Sequence, residues 1–158
     1  IGAVKLVGLA DEAALLSARL KDVTGSASAA AQAQAQLFDI AQDLQVGYSD
    51  LTSSFARMMP AIKALGGGVN EASRLAEILA TTARLSGASS AEAASSAVQF
   101  AQALGSGVLQ GDELRSILEN NQALARTLAG ALGVSVGELK KMGAEGKLTS
   151  DIVANALL

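Results

Sequence analysis

The chain of 158 residues has no cysteine and no histidine. It therefore has no disulfide framework, thiol nucleophile or thiolate metal site. Imidazole ligands, imidazole bases and a histidine pH switch are excluded as well. Aromatics make up only 3% (Phe38, Phe55, Phe100 and Tyr48), tryptophan is absent, and Pro60 is the single proline. With β-branched and aromatic residues this sparse, a sheet protein is nearly ruled out. The net charge of −3 gives no global attraction to nucleic acid. The longest apolar runs, such as Ala13–Leu16, fall far short of the roughly 20 residues of a membrane-spanning helix. The amino terminus has no signal-peptide pattern of basic start, apolar run and cleavage site. Ile1 is not a start methionine and Leu158 falls within a helical pattern, which predicts a piece of a longer chain.

What the chain does have is alanine and leucine, 33 and 23 residues, more than a third of the total. Both are strong helix formers. The expected fold is all-α: a compact domain of about seven or eight short to medium helices joined by glycine-containing turns. Leu9, Ala13, Leu16 and Leu20 share one face of a first helix, Leu9–Val23, which Thr24-Gly25-Ser26 ends. An Ala/Gln stretch, Ala27–Gln36, leads into Leu37, Ile40, Ala41 and Leu44 at helical spacing. Ser49 is the expected N-cap of a third helix with the apolar seam Leu51, Phe55, Met58, Ile62 and Leu65. That seam keeps register through Pro60, so a kink is expected there rather than a break.

Gly66-Gly67-Gly68 stops the third helix and Asn70 restarts the chain, with Leu75, Leu79, Thr82 and Leu85 inward. Ser89 and Glu92 form a capping box for a helix over Ser90–Leu104, and Ser135 and Glu138 repeat the device. Between them lies a loop, Gly105–Gly111. A longer helix from Asp112 then has Leu114, Ile117, Leu118, Leu124, Leu128 and Leu132 inward, with a possible break at Asn120-Asn121. After the second box a short helix runs to Met142. Gly143 and Gly146 bracket a turn, and a last helix occupies Leu148–Leu158. Two domains are drawn, 1–48 with the Ala/Gln-rich segment and 49–158, joined as one continuous unit. Gly107–Asp112 and Gly146–Asp151 echo each other, which recurrent capping chemistry explains better than a solenoid repeat does.

Carboxylates are the main acid–base candidates left. Asp112 and Glu113 are adjacent, about 100° apart on a helix, so they do not converge on one bond. In the first turn they suit the helix dipole, and Arg115 and Glu119 read as an i, i+4 surface pair. Capping and solvation outweigh catalysis, and an envelope-degrading enzyme using Glu113 or Glu119 ranks last. No phosphate-binding loop or metal-ligand spacing is present. Leu128–Met142 has the shape of a helix-turn-helix, with Ala129 at the crossing, Gly133 in the turn, and Val134 and Leu139 in the core. Its groove-facing positions would be Ser135, Val136, Gly137, Lys140 and Lys141. Only two of these are basic, so packing is the preferred reading and a DNA-binding regulator the alternative.

One succession of motifs is more distinctive than composition. Gln99–Leu104 leads into Gly107–Glu119, then Leu132–Leu139 and Gly143–Ser150. This order closely resembles the conserved tape measure domain of long-tailed bacteriophages and prophages. Asp11–Gly25, Leu37–Tyr48 and Leu85–Gly87 also look like that family, so the resemblance covers most of the chain. Many members place a proline where Asn121-Gln122 stands here.

The resemblance implies a non-enzymatic, structural protein of the phage tail, without cofactor, metal or small-molecule substrate. Tail-tube subunits would polymerise around it, which sets tail length, and it would later assist genome delivery. Implied partners are tail assembly chaperones, tail-tube and tail-tip proteins, and further copies of itself; no nucleic acid is expected on this domain. The implied location is the tail lumen, and the host cytoplasm during assembly. The residues expected to contact partners are Gly107, Leu109, Gly111, Asp112, Glu113, Arg115 and Glu119.

Overall fold

The computed structural model describes residues 2–158, with side chains described from position 11 onward. Leu9, placed on the inner face of the first helix, has its side chain outside the described residues. Among the described residues the chain forms nine α-helices and no strand longer than an isolated bridge. They are α1 (Gly2–Thr24), α2 (Ala27–Leu44), α3 (Tyr48–Ala64), α4 (Val69–Leu85), α5 (Ser90–Ser106), α6 (Gly111–Asn120), α7 (Gln122–Ala131), α8 (Val136–Ala144) and α9 (Ser150–Leu157).

The count exceeds seven or eight because the expected Asp112–Leu132 helix is two helices. Asn121 separates them. It is 1% exposed, its backbone leaves helical geometry at φ −143°, and its side-chain oxygen accepts from the Leu124 N–H at 3.1 Å. Its amide donates to the Thr82 hydroxyl at 3.0 Å, and Ser86 Oγ lies 3.3 Å from its oxygen. Ser86 in turn accepts from the Ala123 N–H at 2.9 Å. One buried polar side chain thus starts α7 and ties it to the end of α4. A buried amide needs such partners, because leaving it unpaired costs about 1–3 kcal/mol.

The core runs through all the later helices. Phe55, Met58, Met59 and Ile62 of α3 meet Leu75 and Leu79 of α4, Phe100 and Leu104 of α5, and Leu124 and Leu128 of α7 in one buried cluster. α3 continues unbroken through Pro60, which stands exposed. Alanine allows the close approach of α2. Its first half buries Ala30 and Ala33, while Gln32 and Gln36 both donate to Asn70 Oδ1 at 2.8 Å across to α4.

Two long cationic side chains tie the first pair of helices to the second. Lys63, at the end of α3, donates to the Val23 and Thr24 carbonyls at 2.8 and 3.0 Å. Arg84, at the end of α4, donates to the Leu44 carbonyl. Each cation sits at a helix C-terminus, where carbonyls lack intrahelical donors and the dipole is negative.

Several boundaries differ from the sequence expectations. Ser49 does not cap α3; the helix begins at Tyr48 behind Gly47, because the preceding turn closes tightly through Gln45 in the left-handed region (φ 53°). Asn70 does not start α4, which begins at Val69 behind Gly68, with the Glu71 carboxylate accepting from the Gly68 N–H at 2.8 Å. α5 extends past Leu104 to Ser106, so the loop begins at Gly107. Gly143 lies in the last turn of α8, not in a loop, and the final helix starts at Ser150 rather than Leu148. Leu85 and Leu65 are exposed, at 73% and 41%, because each sits where its helix ends. Ala13 is exposed and Leu16 half-buried, so α1 enters the core fully only at Leu20. Leu118 and Leu132 are likewise only partly buried.

Candidate functional site

The seven residues singled out in the sequence fall on two sides of one structural feature. α5 ends where Gly107 takes φ +93°, a conformation that costs side-chain-bearing residues and that glycine adopts freely. Ser106 Oγ donates back to the Ala103 carbonyl and lies 3.2 Å from the Val108 carbonyl oxygen. The chain then runs extended for three residues and meets the segment preceding α9. Val108 and Thr149 form an antiparallel bridge, the Leu109 N–H donates to the Leu148 carbonyl at 2.7 Å, and the Ser150 N–H donates to the Gly107 carbonyl at 2.9 Å. The two segments that echo each other in sequence are therefore paired in space, forming a clasp.

The inner side of the clasp is buried. Leu109 and Leu148 stand opposite each other, 1% and 0% exposed. The Ser150 hydroxyl, also buried, reaches the Leu104 carbonyl at 2.8 Å and the Ala103 carbonyl at 3.2 Å, so the last carbonyls of α5 are taken up by the start of α9. α8 closes the third side. A Cβ on Gly143 would collide with a Leu114 methyl group, so the last turn of α8 lies close against that side chain of α6, which an added methyl would have to displace. Asp151, in the first turn of α9, is held below the usual carboxylate range by the Thr149 hydroxyl.

Gly107 and Leu109 thus belong to the clasp. Gly111, at φ +55°, turns the chain from it into α6. From there Leu114 and Ile117 point inward, and Asp112, Arg115 and Glu119 point outward and are exposed, with Glu113 half-exposed. Arg115 turns back to Asp112 at 3.4 Å rather than forward to Glu119, in a pair whose side chains are 68% and 88% exposed. Such a pair contributes about 0–1 kcal/mol. The site presents Asp112, Arg115 and Glu119 along one exposed face of a short helix, with Glu113 about 100° round from Asp112.

Sequence reasoning missed the other half of this arrangement: Gly143, Leu148, Thr149 and Ser150. The signal was present in the repeated glycine–leucine–aspartate spacing, read there as recurrent capping. A half-open cleft of about 300 Å3 between α3, α4 and α5 includes none of the seven residues.

The helix-turn-helix segment comprises α7, a turn at Leu132–Ser135, and α8. Ala129 and Leu139 are buried, and Ser135, Val136, Gly137, Lys140 and Lys141 are exposed. Ser135 is committed to its capping box: its N–H and hydroxyl donate to the Glu138 carboxylate at 2.8 and 2.9 Å, and its Oγ accepts from the Glu138 N–H at 3.1 Å. Those bonds hold Glu138 below its ordinary pKa. Glu145 lies 2.6 Å from Lys147 and 4.0 Å from Lys141, so the basic residues of this surface are interleaved with acids.

Comparison with known proteins gives one match. A family model described as "Tape measure protein" matches residues 5–158. Neither the curated proteins nor the solved structures compared with the chain give a match.

Proposed function

We propose, from the premise that this chain belongs to the tape measure protein family, that it is a folded assembly module rather than the measuring element itself. The family places it among the structural proteins of the phage tail. A ruler made of helix converts residues to length at 1.5 Å each, so it must be long and continuous. The longest helix here, α1, has 23 residues and would span only about 35 Å. The other eight are shorter and fold back on one another around a shared core. Such a module does not measure; it docks.

The observation that carries this reading is the row Asp112, Glu113, Arg115 and Glu119 on α6. These residues contribute little to stability where they stand, while Leu114 and Ile117 on the other face of the helix are buried in the core. On this reading the row meets tail assembly chaperones before polymerisation, and tail-tube or tail-tip subunits during it. Copies of the module would lie together in the tail lumen after assembly in the host cytoplasm, and the parent chain would set tail length and later assist genome delivery. The module works without catalysis, cofactor or nucleic acid. Glu138 and Glu145 among Lys140, Lys141 and Lys147 weigh against duplex binding, because phosphate contact needs a clustered positive field.

The test is complementation of a phage lacking this gene with a chain carrying Asp112→Ala, Glu113→Ala and Arg115→Ala together. Exposed positions of this kind change stability by about 0.5 kcal/mol or less each, so the melting curve should barely move. Tail yield, counted by electron microscopy, should fall. A normal yield of tails from a normally folded variant would sink the docking role of this row.

A further inference from the structure

We draw no further inference here: the strongest candidate, the half-open cleft between α3, α4 and α5 walled by Asp50 and Arg84 and floored by Leu79, Ala80 and Ala83, is an unpartnered face for which nothing in the structure shows what covers it.

Discussion

Gly143 carries a constraint that no composition argument reveals. Its α-carbon faces Leu114, which is 4% exposed and has little room to withdraw. Gly143→Ala would relieve a helix-propensity cost, yet it must overpack this contact, and overpacking costs about 1–3 kcal/mol. The net result should be a lower urea midpoint at unchanged slope. Asn121 and Gln122 make a second pair of residue-scale tests. Gln122 is the first residue of α7, where proline is well tolerated because its missing N–H is unbonded within the helix anyway. Gln122→Pro should leave thermal stability within about 1 kcal/mol. Asn121→Pro should be far worse, since its N–H donates to Ile117 at 2.9 Å and its φ of −143° lies outside the range proline allows. Melting the two variants side by side checks both. The sequence marked Asn121 as a break, but its bonds to Thr82 and Ser86 join residues far apart in the chain. No local pattern encodes that.

The helices declare their ends through side chains. The boxes Ser89–Glu92 and Ser135–Glu138 were legible because capping chemistry is local, three residues apart, and both form as expected. Ser49 misled for the same local reason. It looks like a cap, but the turn geometry at Gln45 decides where α3 starts. The boxes also predict a response to acid. Glu92 is held below its ordinary pKa by the Ser89 hydroxyl and N–H, Glu138 by the Ser135 N–H and hydroxyl, and Glu71 by the Gly68 N–H. A depressed carboxylate stabilises the fold fully above its unfolded pKa and loses that contribution as pH falls through its folded pKa. Stability should therefore hold above about pH 5 and decline below about 4.5. A double variant, Glu92→Gln with Glu138→Gln, should show a shallower decline in melting temperature over that window. A slope identical to that of the parent chain would mean that these carboxylates are not ionised partners in the folded state.

At the scale of the whole molecule, helix content and the central core followed from composition and period. The pairing of helices did not. Which of these similar amphipathic segments lie together depends on side-chain fit, as with Ala33 of α2 and Phe100 of α5, both buried in the shared core. The sequence supplies many equivalent alanine surfaces for that choice. The clasp is the exception, since its two halves share a pattern. Leu109→Ala and Leu148→Ala should each cost about 2–5 kcal/mol, as buried leucines do. Because they stand opposite each other, the double variant should lose less than the sum of the two, by at least about 0.5 kcal/mol. Strict additivity in urea titrations would show that the two leucines do not share one packing site.

The same pairing has a consequence for the chain as it is made. Leu109 leaves the ribosome about 40 residues before Leu148, and at synthesis rates of about 5–20 residues per second that is a delay of roughly 2–8 s. During it Leu109 lacks its partner Leu148, and the Ala103 and Leu104 carbonyls await Ser150. For those seconds Leu109, which the finished fold buries against Leu148, has no such cover. The clasp closes only after Ser150 has itself left the ribosome and folded back onto the end of α5.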